Sequence, residues 1–432
     1  MLSQIGQITV SLVDNMMVGH VGTTELAASA FANNVFMVGM YFGMGITYGL
    51  TPLVGNDFGN NRLKQVAGWL KNGFVTHLVA SIILTLLMFV IYFMLPMMGQ
   101  PTEVLDAARP YYLMLCVSYL PFVIFFSLKQ FFEGIGNTKI TMQITIMANI
   151  INVIVNYVLI FGKFGLPEMG LIGAGIGTLI ARMIMPAMFI IYIIKIPRIK
   201  RYFLIGCVQP VLKNKVVTVL KMGIPIAFQL IVEVTTFGMG AVMMGWLGEV
   251  PLAAHQVAIG LASFTYMISL GVSQATTIRV SHQMGTRNLQ GLRMAAFAST
   301  HLVLFFMSVM GIIFVVARNY LPMLFTVDEN VIKIASQLLI VAAIFQVFDG
   351  LQVIMLSILR GMSDVQIPMI FAFIAYLSIG IPTSYILAIS FKLGPQGIWY
   401  GFLVGLGTAG ILFYLRFVYN LKKEHKKTGH LR

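Results

Sequence analysis

Acidic residues are scarce in this chain, which has 14 Asp and Glu against 28 Lys and Arg, and only 10% of its 432 residues are charged. Soluble domains carry about a quarter charged residues, so a chain this poor in charge cannot cover a water-facing surface. Cysteine is scarcer still. Cys116 falls in an apolar run and Cys207 in a basic loop, which argues against a disulfide framework, and neither has metal-site spacing. The seven histidines are scattered, and HExxH, CxxC and aspartate-rich prenyl-type motifs are missing. Metalloenzyme or transferase chemistry therefore has no visible apparatus. No Walker motif or soluble nucleotide domain is present, which removes ATP as the expected energy source. The segment "GAGIGT" (173–178) is not a proper GxGxxG, and inside an apolar run its Gly173 and Gly177 read as a small-xxx-small packing face.

What the chain has is apolar length. Hydrophobic residues make up 58% and mean hydropathy is +0.89, as expected of a polytopic membrane protein. A bilayer core takes about 20 apolar residues per helix. Twelve such runs stand at 1–17, 27–53, 73–95, 110–132, 140–161, 169–196, 218–247, 253–278, 294–316, 335–358, 367–390 and 397–418. Strands of a closed barrel alternate apolar and polar in short segments. These runs are long and apolar on every side, so the expected fold class is an all-α integral membrane protein with twelve transmembrane helices.

The net charge of +14 follows topology. With the amino terminus inside, only Arg109, Lys163, Arg318, Lys333 and Lys392 fall in outer loops and Arg182 lies within a span; the other 22 Lys and Arg lie at inner loops, inner helix ends or the tail. That is the positive-inside pattern, and it places both termini in the cytoplasm of a plasma (inner) membrane. The loop "KIPRIKRYF" and the tail "LKKEHKK" read as topology determinants beside anionic lipid. No nucleic-acid partner is expected.

The chain also repeats. At an offset of 226, "MVGHVGTTELAA" (17–28) falls on "MMGWLGEVPLAA" (243–254), and Gly45, Thr51, Gly59 and Leu63 fall on Gly271, Thr277, Gly285 and Leu289. At 227, "EGIGNTKITM" meets "RGMSDVQIPM". The expected organisation is two pseudo-symmetric six-helix lobes, 1–196 and 218–420, joined by a cytoplasmic basic linker at 197–217 and followed by a basic tail at 421–432. Six is even, so both copies enter the membrane in one direction, related by an axis along its normal, as in one class of secondary transporters. Span 7 begins some ten residues before Ala227, the partner of Met1, so span 1 reads as clipped. The natural chain is expected to extend upstream by ten to twenty residues, with a proline like Pro225.

Of the fourteen acids, eleven lie in loops or at helix ends, leaving Asp14 in span 1, Glu233 in "FQLIVEVTTFG" and Asp349 in "IFQVFDGLQ". A charge near the bilayer centre costs roughly 2.5 to 3.5 kcal/mol on insertion scales, and such residues usually face a bundle interior on an ion or proton path. The bland alternative is a protonated carboxyl bonded to a neighbouring helix; two acids in one lobe weaken it. In low dielectric two ionised carboxylates are disfavoured and repel each other, so a pair can take up a proton or bind one Na⁺ with carbonyl and hydroxyl help. The repeat leaves only Gln7 opposite Glu233, which makes the acid an addition to one lobe. Arg182 is expected to face the bundle interior and pair with a carbonyl or polar group.

The motifs "VDNMMVGHVG", "LAA", "EGIGNTKITM", "NIINVIVNYVLIFG", "AAHQVA" and "LRGMSD" resemble those of the multidrug and toxic compound extrusion (MATE) transporters, NorM-type branch, in order across almost the whole chain. The resemblance implies two lobes around a V-shaped cleft and export of amphipathic organic cations and drugs in exchange for Na⁺ or H⁺. It further implies a monomer in a prokaryotic membrane, without a cofactor. It puts the coupling cation, including any Na⁺, on Glu233 and Asp349, with the span 8 aromatic Tyr266 facing the site. The first-lobe acid of the family falls on Asp14, with Asn152, Asn156 and Thr178 around it. Archaeal-type members carry an aspartate where Asn156 stands, so this chain's first lobe is the poorer ion site. A lipid-linked oligosaccharide flippase of the same superfamily is the rival reading, and it would favour cationic residues in the cleft.

Overall fold

The computed structural model describes residues 2–429, the side chains of Leu2–Ile5, Gln7, Ile8, Ser11 and 427–429 excepted. The described residues are almost entirely helical. In hydrocarbon every backbone N–H and C=O must be satisfied within its own segment, and a helix does this.

The first compact unit covers Leu2–Ala227. Its helices are α1 (Leu2–Gly19), α2 (Thr23–Tyr48), α3 (Leu50–Gly59), α4 (Leu63–Met94), α5 (Thr102–Gly134), α6 (Thr138–Ile160), α7 (Gly170–Lys195) and α8 (Pro197–Val208). It ends within α9 (Lys213–Leu247). The second unit begins at Phe228 and continues through α10 (Glu249–Gly285), α11 (Leu289–Val316), α12 (Glu329–Gly361), α13 (Gln366–Phe373), α14 (Ile381–Tyr385) and α15 (Pro395–Gly429). Among the described residues eleven spans are long and apolar enough to cross a bilayer, and the eighteen-residue helix α1 precedes them. Met1 lying outside the described residues, each of the twelve expected runs falls on a helix or a series of helical segments, with one turn residue, Gly49, between α2 and α3. Most extend beyond their apolar runs, because polar residues such as Lys213 and Glu249 continue the helix past the hydrocarbon.

Two departures from simple spans matter. The basic loop after α7 is largely helical: Ile199, Tyr202 and Gly206 of α8 are buried on one face, which packs against α4. Spacings of three and four residues give that stripe. The eleventh span is interrupted by π-helical turns at Ile374–Gly380 and Ile386–Ser390, a feature frequent at functional sites.

Aromatic residues fill the first unit, with Tyr112, Tyr119, Phe125, Phe131, Phe132 and Phe189 fully buried. Glycine lets backbones meet there: a Cβ on Gly45 would overlap the Ala227 backbone, and one on Gly223 the Ile46 carbonyl. In the second unit α12 packs on α10, α11 and α15, around Phe345, Trp399, Phe402 and Phe413. Residues such as Leu86, Phe93, Phe305 and Ile312 are exposed, as lipid-facing positions must be.

Candidate cation site

Thr265 of α10 donates to Gln346 Oε1 of α12 at 3.0 Å, and Thr277 donates to the Ser357 carbonyl at 3.0 Å. These two contacts set α10 and α12 running in the same direction. Asp349 is therefore placed one turn beyond Gln346, on the α12 stretch facing α10 near Ser269. Asp349 is buried at 4% exposure, and its Oδ1 has no hydrogen-bond partner. The same holds for the buried Gln346 Nε2, Gln352 Oε1 and Ser269 Oγ. Unsatisfied polar atoms this dense are unusual in native interiors, and an ion or water is the ordinary explanation.

Glu233 approaches from α9 and is half-buried. Tyr266 of α10 donates its hydroxyl to Glu233 Oε1 at 3.1 Å. The two carboxylates lie close enough to act on each other electrostatically, and both act on Tyr266 and on Tyr376. Tyr376 belongs to the first π-helical turn; its hydroxyl lies near Gln352 without a hydrogen bond of good geometry. Glu233, Thr236, Phe237, Tyr376, Gly380, Phe402, Gly405 and Leu406 line a small cavity, about 10 Å³ open to a water-sized guest. That is about the least that holds one water. A guest of that size is an ion or a water.

The structure thus brings Glu233, Asp349 and Tyr266 together, and adds groups the sequence did not single out. Gln346 and Gln352 stand three residues either side of Asp349 in "IFQVFDGLQ", a spacing that keeps side chains near one helix face. Arg360, counted above only as a topology determinant, donates from Nη2 to Gln229 Oε1 at 3.1 Å, while Gln229 Nε2 donates to the Val365 carbonyl at 3.2 Å. Gln229 stands one turn before Glu233 on α9, so Arg360 sits within electrostatic reach of Glu233. No cluster of three or more His, Cys, Asp or Glu able to hold a metal exists among the described residues. The oxygen donors here suit a proton or a weakly held monovalent ion.

In the first unit, Asn156 of α6 donates to Asp14 Oδ1 of α1 at 2.7 Å and lies 3.4 Å from Asn152 Oδ1. Gly177 of α7 leaves the room for Asn156. Thr178 is half-buried and, among the described residues, makes no hydrogen bond to Asp14. The side chain of Gln7, the repeat partner of Glu233, lies outside the described residues.

Comparison with known proteins agrees along the chain. A family profile described as MatE matches residues 1–158 and 225–386. The multidrug resistance protein NorM of Vibrio parahaemolyticus is 31% identical over 428 residues, 98% of this chain and 94% of that protein. The multidrug resistance protein MdtK of Yersinia pseudotuberculosis is 31% identical over 96% of this chain and 92% of its own length. Among solved structures, the eukaryotic MATE transporter AtDTX14 superposes with a TM-score of 0.87 at 23% identity, covering 99% of this chain and 95% of that one. The Vibrio cholerae MATE transporter VcmN in its bent form gives 0.86 at 18%, covering 98% and 94%.

Proposed function

Because this chain belongs to the MatE family, we propose that it is a cation-coupled multidrug efflux antiporter, with Glu233 and Asp349 as the coupling pair. It is a transporter rather than an enzyme, and it is a multi-pass membrane protein. The observation that carries the coupling site is the buried, unpartnered Asp349 Oδ1 near a Tyr266-held Glu233, next to a cavity of ion size.

The cycle follows from the repulsion between two carboxylates in low dielectric. A proton or Na⁺ arriving at Glu233 and Asp349 relieves it, with Gln346, Gln352, Ser269 and Tyr376 offering the unsatisfied polar atoms around the ion. The loaded and empty forms then favour different packings of the second unit. An ion shifts a conformational equilibrium only through its differential affinity for the two forms. Drug and ion compete through those packings, and reciprocity makes each displace the other. Rocking of the two repeats exposes the substrate to alternate sides. The protein works as a monomer with both termini in the cytoplasm, exporting amphipathic organic cations.

The test is export of a fluorescent organic cation from proteoliposomes under an imposed Na⁺ gradient and, separately, an imposed H⁺ gradient. Glu233→Gln and Asp349→Asn are each expected to cut export at least tenfold while the protein remains folded in the membrane. Normal export by both single variants overturns the assignment. The gradient that drives the wild type identifies the coupling ion.

A further inference from the structure

The two repeats tie a short loop to their last helix in different ways. In the first unit Asn137, between α5 and α6, donates from Nδ2 to the Tyr192 hydroxyl of α7 at 3.3 Å. The α7 positions beside it are sealed: Phe189 and Ile193 are buried, and the Phe189 ring lies 4.9 Å from that of Phe132. At an offset of 227, Asn137, Phe189 and Ile193 fall on Asp364, Arg416 and Asn420. In the second unit Asp364 Oδ2, between α12 and α13, accepts from Arg416 Nε and Asn420 Nδ2 of α15, each at 2.6 Å. The first unit shows that the fold makes this join without charge.

The second unit also leaves space here. Ser363, Asp364, Arg416, Asn420, Lys423 and Glu424 line a cavity of about 230 Å³, against about 10 Å³ beside Glu233. One water needs roughly 10 to 15 Å³ on this measure, so a polar group of several atoms fits. Arg416 spends its Nε on Asp364, and its Nη groups make no hydrogen bond among the described residues. Ser363 stands in the left-handed region at φ 62°, where its repeat partner is Gly136 at φ 80°, the residue that this conformation favours. A serine there strains the backbone, and among the described residues its hydroxyl makes no hydrogen bond to offset the strain. The wall carries both signs, with a guanidinium and an ammonium facing the carboxylates of Asp364 and Glu424. A lone phosphate would be drawn by the first two and repelled by the others. A group holding a phosphate and a primary ammonium together complements all four.

The level of the cavity identifies the source of such a group. The apolar run of α15 ends at Val418, between Arg416 and Asn420. Leu415 and Tyr419 beside them are exposed, as at a hydrocarbon–water boundary, where tyrosine gathers. Met284 and Met362 give the wall an apolar part that suits the glycerol end of a lipid. We propose that this cavity is a headgroup site for an aminophospholipid: Arg416, Lys423 and Ser363 take the phosphate, and Asp364 and Glu424 take the ammonium of a phosphoethanolamine group. Basic pockets between spanning helices hold phospholipid headgroups, and the two carboxylates narrow this one to a zwitterion with N–H donors. The site stands apart from the coupling pair, and its test reads binding rather than export.

The experiment measures, by fluorescence anisotropy, binding of acyl-labelled phosphatidylethanolamine, phosphatidylcholine, phosphatidylglycerol and diacylglycerol with identical chains to the detergent-solubilised full chain. The wild type is expected to bind the ethanolamine lipid about tenfold more tightly than the other three. Lys423→Gln and Ser363→Gly are each expected to weaken that lipid about fivefold and leave diacylglycerol unchanged. Glu424→Gln is expected to narrow the ethanolamine-to-choline ratio by a similar factor. Ser363→Gly should not lower the unfolding midpoint without lipid, because glycine suits the backbone there, so its weaker binding is not a damaged fold. Equal affinity of the wild type for the ethanolamine and choline lipids, or a preference for phosphatidylglycerol, overturns the proposal. Ethanolamine-lipid binding that none of the three variants weakens overturns it too. Water-soluble glycerophosphoethanolamine is expected to compete only at far higher concentration than the lipid; competition at equal concentration supports the zwitterion site and overturns a lipid as its source.

Discussion

Glu233 and Asp349 share a neighbourhood but not a state. Glu233 is half-buried and accepts from Tyr266, whereas Asp349 is buried with one oxygen unpartnered. A hydrogen bond to an ionised group contributes roughly 1.5 to 3 kcal/mol, about a ten- to hundredfold change in an equilibrium constant. Tyr266 keeps Glu233 oriented towards the site. Because the lost bond favours the empty, ionised carboxylate, Tyr266→Phe is expected to lower the proton concentration for half-maximal exchange by roughly ten- to hundredfold. An unchanged ion dependence would leave Tyr266 as ordinary aromatic packing. The acids were legible in the sequence because a charge inside an apolar span is costly enough to demand a reason. Gln346, Gln352 and Ser269 were not, since neutral polar residues are tolerated in many helices. Their meaning comes from being buried together without partners. Arg360 was misleading for the opposite reason: at a helix end its charge satisfies the topology rule, and only the Gln229 contact ties it to Glu233.

At the scale of the element, hydropathy located every span, but not how the spans meet. Gly397, Gly401 and Gly405 recur every fourth residue of α15 and face the eleventh span, where a Cβ on Gly401 would overlap the hydroxyl and backbone of Ser384. Close backbone approach of this kind is how membrane helices pack without a hydrophobic drive. Gly407 on the same helix has nothing nearer than 3.5 Å, a Phe348 ring carbon. Gly401→Ala is expected to destabilise the protein by about 1 to 3 kcal/mol through overpacking. Gly407→Ala is expected to be neutral or to stabilise by up to about 1 kcal/mol through helix propensity. Thermal unfolding of the two variants in one detergent checks the contrast, and equal midpoints would contradict this packing. The π-helical turns and α8 escaped the sequence reading for physical reasons. An apolar string does not specify whether a carbonyl bonds four or five residues on. The α8 stripe of Ile199, Tyr202 and Gly206 is hidden among basic residues that satisfy the topology rule by themselves.

At the scale of the whole chain, the repeat explains the shared fold and leaves function to what the copies do not share. Position 7 carries Gln where its partner carries Glu233, and the first unit's own acid, Asp14, is already engaged by Asn156. Among the described residues, the second unit has four buried oxygens without partners, on Ser269, Asp349, Gln352 and Tyr376, against Asn156 Oδ1 alone in the first. A ligand that binds only the folded form stabilises what it touches by RT ln(1 + [L]/Kd), about 2.7 kcal/mol at a hundredfold excess over Kd. Local opening in that region slows in proportion, and hydrogen exchange reads it segment by segment. Saturation with the coupling ion is therefore expected to slow exchange in α10, in α12 around Asp349 and in α9 beyond Phe228. Peptides of α6 around Asn156 should be unaffected. Equal slowing in α6 would mean that Asp14 also takes the ion, and the unequal division of labour between the repeats would fall with it.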